Sequence, residues 1–394
     1  MKRKYLALLI AGLSAGAVYA ADNIPTVYGK VNVTLNKYDF DGIANPTTSY
    51  TALDTWKLES NSSRLGVKGD YPIAEGLKAI YKLEYEVYTD SDKQGDNGSD
   101  FKQRNTYAGL QHTQWGTLFA GKNDTPLKAT AAETVQLFKD MPLADFKYVM
   151  VGENRENNII QYATPNLSGF IVSAQIEPGE DSGSKGAAGT TSTSHTNHGV
   201  ADKYSAAVTY KQDSLYLALA GDHNVNNTNI VRAVGQYGIG PVLLGALWQS
   251  AERNYSTSNT GAPIGINSFA SLPGDSNISP IPGTTTNPIS HFIPTTTPAT
   301  VYKSQDAFAV SAAWAIDSWW TVKGQYVAST SELDSNIDRS DTDAKNYALG
   351  VDYKLNSNAK VFAYYAAIDT EGDEARYDGT LTDKTFAVGW EFKF

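Results

Sequence analysis

The chain has 394 residues, with 32 Lys+Arg against 42 Asp+Glu and a net charge of -10, a balance that argues against a nucleic-acid partner. It contains no Cys, which excludes disulfide scaffolds, thiolate metal sites, cysteine nucleophiles and a lipid-modified amino terminus. Its 24 Tyr and 33 Gly suit pleated aromatic surfaces better than helix bundles.

At the start, Lys2, Arg3 and Lys4 precede an apolar run from Leu6 to Val18 that closes on Val18, Tyr19 and Ala20. Residues 1–20 therefore read as a secretory signal cleaved near Ala20, and residues 21–394 as one mature domain. Past the signal, no run approaches the ~20 apolar residues of a helical span. Period-two alternation takes over instead, the signature of strands. Val27, Gly29, Val31, Val33 and Leu35 share one face, with Tyr28, Lys30, Asn32, Thr34 and Asn36 on the other. Farther on, Leu77, Ala79, Tyr81, Leu83, Tyr85 and Val87 oppose Lys78, Lys82, Glu84 and Glu86.

Tight turns are predicted at Pro72 to Gly76, Gln114 to Gly116, Pro165 to Gly169, Lys211 to Ser214, Gly238 to Pro241, Asp317 to Ser318 and Leu355 to Asn358. Between them lie eight longer connections, beginning near Asp39, Asp90, Asp124, Gly179, Val225, Tyr255, Leu333 and Glu371. Seven turns and eight loops join sixteen strands. An even strand number, with short turns on one side and longer loops on the other, predicts an all-β fold: a 16-stranded antiparallel transmembrane β-barrel. A soluble sandwich would not need that rotation of connections. The closing stretch TFAVGWEFKF fits the barrel: Phe386, Val388, Trp390, Phe392 and Phe394 would face lipid, and Glu391 and Lys393 an aqueous lumen.

Three segments depart from strand character. Asp124 to Glu153 has helical propensity over Ala129 to Leu137, followed by Pro142, and reads as a folded insertion. Gly179 to Ala201 and Tyr255 to Lys303 are rich in Ser, Thr, Gly and Pro. His195 and His198 have a spacing that a metal could use, but an adventitious pair on a solvated loop is the stronger reading. Past the signal, with no G-x-S-x-G elbow and no strand-terminal Ser/His pairing, neither catalysis nor a cofactor is expected.

Four stretches, VYGKVNVTL at Val27, SSRLGVKGDYPIAEGLKAIYKLEYE at Ser62, RNTYAGLQHTQWGTLFAGKND at Arg104 and RENNIIQYATPNLSGF at Arg155, resemble the general diffusion porins of Gram-negative bacteria. The likeness is strongest to the proteobacterial branch that includes the neisserial trimeric porins. It implies a homotrimer, a third loop folded inward to narrow the pore, and a terminal Phe394 read by the barrel-insertion machinery. It also implies a transverse field between acidic residues on that loop and basic residues on the wall. In this chain the acidic candidates are Glu133, Asp140 and Asp145, and the basic candidates are Lys30, Arg64, Lys82, Arg104 and Arg155.

Parity turns Arg64 inward, because Leu65 and Val67 set the lipid face, and Tyr107 is expected to do the same for Arg104. An arginine on the lipid face would cost about 2 to 4 kcal/mol at the midplane. Enteric members carry Pro-Glu-Phe-Gly-Gly in the third loop, where this chain has MPLADF from Met141 to Phe146. Glu133 and Asp140, one or two turns apart on a continuous helix, are favoured over Asp145.

The function so implied is passive diffusion of small hydrophilic solutes and ions through a water-filled outer-membrane channel. A substrate-specific channel for sugar, phosphate or dicarboxylate stays open. So do, more remotely, a membrane-embedded enzyme and an adhesin. The acidic total leans the selectivity toward cations, against five basic wall residues that favour anions.

Overall fold

The computed structural model describes residues 24–40, 53–90, 100–179, 199–253, 301–334, 341–374 and 377–394. The expected signal segment, His195, His198 and nearly all of Tyr255 to Lys303 lie outside the described residues. Strands dominate. In chain order they are β1 (Thr26–Phe40), β2 (Leu53–Ser60), β3 (Arg64–Ala74), β4 (Leu77–Val87), β5 (Phe101–His112), β6 (Gly116–Asp124), β7 (Arg155–Ala163), β8 (Phe170–Glu177) and β9 (Lys203–Gln212). They continue as β10 (Leu215–Val225), β11 (Thr228–Ile239), β12 (Val242–Arg253), β13 (Val301–Ala315), β14 (Trp320–Asp334), β15 (Thr342–Lys354), β16 (Ala359–Glu374) and β17 (Tyr377–Lys393). A short helix, α1 (Pro126–Ala132), and a 3-10 turn, Phe146–Tyr148, interrupt them between β6 and β7.

The seventeen segments make sixteen staves, because β2 and β3 pair with successive parts of the same strand. Val33 to Phe40 of β1 oppose β2, and Thr26 to Lys30 oppose β3. The interruption falls at Asn61 to Ser63, where Ser62 takes a left-handed φ of 51° and the Asn32 N–H is bonded by Ser63 Oγ. Every neighbouring pair is antiparallel, and β1 pairs with β17 from Lys30↔Lys393 to Phe40↔Asp383. That pairing closes the sheet, and no edge remains to be satisfied in hydrocarbon. Phe394 extends the seam: its carbonyl accepts from Gly29 N–H at 2.9 Å and its own N–H donates back at 3.1 Å. A Cβ at Gly29 would lie 2.3 Å from the Phe394 ring, so only glycine leaves room for it.

All seven predicted tight turns join adjacent staves. On the other side, the connection after Val225 proves to be two residues, Asn226 and Asn227, both at positive φ as a primed hairpin turn requires. The two faces separate as the alternation predicted. Val27, Leu217, Leu219, Trp248, Phe308, Leu349, Phe386 and Trp390 are exposed on the outside, while Asn36, Gln249, Asn346, Thr385 and their neighbours of the same parity are buried inside.

Parity fails once. Arg104 and Tyr107, three residues apart, both turn inward, because the β4–β5 register slips by one residue between Leu83↔Thr106 and Tyr85↔Gln103. This bulge leaves Tyr107 stacked on the buried Phe119, with ring centroids 4.3 Å apart, rather than marking the lipid face.

Residues 125–154 do not form a surface excursion. Thr125 caps α1 through its side chain, which accepts from Lys128 N–H, and Pro126 occupies the first turn, where its missing donor costs nothing. The helix therefore starts before the predicted Ala129 and stops at Ala132. Back-bonding explains the early stop: Thr130 Oγ1 donates to Leu127 O at 2.6 Å and Thr134 Oγ1 to Thr130 O at 2.8 Å, competing with the helical ladder.

From there the segment runs as two limbs along the interior of β9 to β17. The outward limb is held by Tyr216 on Thr130 O, Gln236 on Thr134 O, and Gln325, whose Oε1 accepts from Leu137 N–H. The returning limb is held by Tyr364 on Pro142 O, Asn346 on Leu143 O, Ser329 on Val149 O and Gln305, whose Oε1 accepts from Val151 N–H. Between these bonds the contact is dry. Val135, Phe138, Met141, Leu143, Phe146 and Met150 are buried against Ala218, Leu247, Ala307, Ala309, Ala348 and Ala366 of the wall.

Candidate functional site

The barrel interior is thus divided. One part of the wall is covered by the inner segment, and another, β4 to β7, faces the segment's polar side across a cavity of about 220 Å³. Seven basic and four acidic residues line that cavity.

Arg104 and Arg155 border it from the wall. Arg104 is buried between two carboxylates, with Nε 3.1 Å from Glu84 and Nη1 2.9 Å from Glu86. Arg155 donates from Nη2 to Asp124 at 3.0 Å and from Nε to Asn105 at 2.6 Å. The remaining basic candidates lie away from the cavity lining. Lys82 is 3.3 Å from Glu84 and 5.9 Å from the centre of the Tyr28 ring, while Arg64 sits in register opposite Lys30.

Lys30 reaches across to the inner segment, 2.8 Å from Asp140, with Glu391 of β17 at 3.9 Å. Burial pushes the Asp140 carboxyl up, but the charges of Lys30, Arg104 and Arg64 outweigh it and hold the group well below the usual carboxylate range.

The three acidic candidates take three different positions. Asp140 meets the wall. Asp145 is turned back into its own segment, where it accepts from Gln136 Nε2 at 2.7 Å, Asp140 N–H at 2.7 Å and Lys147 N–H at 3.0 Å. Those bonds hold Asp140 in a left-handed conformation, φ 68°, that aims its side chain at Lys30. Glu133 is exposed and pairs with Lys139 at 2.8 Å. Since α1 ends at Ala132, Glu133 and Asp140 do not share a helix face.

Sequence reasoning missed the basic half of the segment itself. Lys128, Lys139 and Lys147 border the cavity from the segment, together with Lys102 and Lys122 from β5 and β6. An acidic loop facing a basic wall is therefore too simple a picture, because cations outnumber carboxylates on the lining as a whole. No group of three or more His, Asp or Glu able to hold a metal occurs among the described residues.

The closed barrel matches known proteins. A family model described as Gram-negative porin matches residues 6–373. The chain belongs to the Gram-negative porin family. Among curated relatives, this porin is 26% identical to the major outer membrane protein P.IB of Neisseria gonorrhoeae, over 52% of its own chain and 56% of the relative. It spans about half the length of the curated relatives it matches. Among solved structures, the anion-selective porin from Comamonas acidovorans superposes with a TM-score of 0.62 at 16% identity, covering 95% of this chain and 100% of that one. OmpT of Vibrio cholerae in its trimer form gives 0.59 at 17% identity, with 94% and 99% covered. At such identities these two likenesses bear on the fold alone.

Proposed function

We propose that this porin is an outer-membrane channel for passive diffusion of small hydrophilic solutes and ions, assembled as a homotrimer, with lipid against its exterior aromatic rows. The observation that carries the reading is the cavity of about 220 Å³ between the inner segment and β4 to β7. It is a charge-lined space inside a barrel whose other interior half is filled by apolar packing. Charged walls in a low-dielectric throat orient polar solutes and penalise apolar ones, which cannot replace the hydrogen bonds of the water they displace.

Selectivity follows the throat rather than the whole-chain charge. Seven basic against four acidic residues on the lining favour anions, reversing the lean toward cations drawn from composition.

The constriction we assign comprises Asp140, Arg104 and Arg155 with the segment lysines, while Lys30 and Asp145 hold Asp140 in place and Glu133, Arg64 and Lys82 lie at its margins. Phe394, half exposed at the barrel seam, suits recognition by the insertion machinery. Planar-bilayer recording on the purified protein tests the proposal. Stepwise ohmic conductance with an anionic reversal potential in a salt gradient is expected, and a barrel that never conducts would overturn it.

A further inference from the structure

The apolar packing of the inner segment lies along β9 to β17, so polar contacts must fix how far it stands into the lumen. The most buried charged side chain in the interior lies where its two limbs converge. Arg232 of β11 is completely buried. Its guanidinium donates from Nη1 to Leu127 O at 3.4 Å on the outward limb, and from Nη2 to Val151 O at 3.3 Å on the returning limb. The same Nη1 is 2.9 Å from Glu153 Oε1, and Nε donates to Gln249 Oε1 at 2.8 Å on β12. Gln249 in turn donates to Val151 O at 3.0 Å. A Cβ on Gly152 would stand 3.0 Å from Arg232 Nη2, so the chain passes the guanidinium as closely as a residue without a side chain allows.

We propose that Arg232 is the positioning residue of the channel, holding α1 and the returning limb against β11 and thereby fixing the aperture between the inner segment and the β5–β7 wall. The assignment rests on the reading that the cavity conducts. A buried guanidinium is costly unless its donors are engaged, and here a planar fork serves two chain carbonyls, a carboxylate and an amide together. Lysine has the charge but not the fork. Without the fork the limbs keep their other anchors, Ser205 and Tyr216 on α1 among them, but the Leu127 and Val151 carbonyls lose the one group that they share across the two limbs.

Two variants test this: Arg232→Lys, and Arg232→Met combined with Glu153→Gln so that no buried carboxylate is left unpaired. Single-channel recording and liposome-swelling rates with sugars of increasing size would be compared with thermal unfolding of the barrel. Open-state current noise is expected to rise severalfold in the Met/Gln variant and to an intermediate level in the Lys variant. A shifted size cut-off should accompany it, with the barrel's melting little changed. Quiet, wild-type-like channels in both variants would overturn the assignment, as would altered melting with unaltered noise and cut-off. A wild-type barrel without conductance would instead defeat the channel reading.

Discussion

The Lys30 ammonium and the Asp140 carboxylate lie 2.8 Å apart although 110 residues separate them, joining the first barrel strand to the turning point of the inner segment. This pair brings the segment to the far side of the barrel and contributes one of the few negative charges at the cavity. Replacing Asp140 with Asn should leave the barrel folded and move the reversal potential further toward anions. A shift toward cations would contradict the charge balance described for the throat.

The same carboxylate makes a prediction about pH. Its ionisation in the folded protein lies well below the ordinary carboxylate value of about 3.9, so the pair's stabilisation is complete above that value and is lost only as pH falls through the depressed folded one. Conductance of the wild type should therefore show no transition traceable to Asp140 between neutrality and about pH 4. Titrating Asp140→Asn in parallel isolates its contribution, and a mid-acidic step present only in the wild type would refute the sign.

Arg104 satisfies Glu84 and Glu86 together. Arg104→Gln removes the cation shared by two neighbouring buried carboxylates of β4 and should cost about 3 to 5 kcal/mol, the range for breaking a buried pair. Denaturant unfolding would measure the loss. Whatever fraction folds should be less anion-selective, since the throat loses the cation that offsets Glu84 and Glu86.

At Gly350 the wall makes room for a ring. A Cβ there would approach Phe138 Cε1 to 2.8 Å, so Gly350→Val should push the segment off β15 into the lumen. Overpacking of this kind costs typically about 1 to 3 kcal/mol. A smaller unitary conductance with the same selectivity is the expected outcome, and Phe138→Ala in the same chain should restore the current.

The strands were legible because a barrel wall between lipid and water imposes a period of two on every stave, and no tertiary contact can override it without placing charge in hydrocarbon. Parity misled at Arg104 and Tyr107, where a one-residue bulge resets the alternation without any Gly or Pro to announce it. The inner segment was visible as an insertion, but its contents were misread for a physical reason. A resemblance that emphasises acidic loop residues drew attention to Glu133 and Asp145, while Lys128, Lys139 and Lys147 carry the excess charge. The signal for its docking surface was present in the chain: Ala307, Ala309, Ala348, Ala366 and Gly245 stand at inward positions where an open aqueous lumen would call for polar side chains. Small inward residues on consecutive staves mark the area that another piece of the chain covers.

The alanine-lined half of the interior has a consequence for how such a protein can change. Residues there answer to a dry, shape-matched contact, so a variant that alters their volume risks the fold itself. On β5 to β7, outside the paired Arg104 and Arg155, residues border the cavity and have more room to vary in charge. Permeability can therefore drift through one arc of the cylinder while the opposite arc stays fixed, which makes the first arc the place to re-tune what passes.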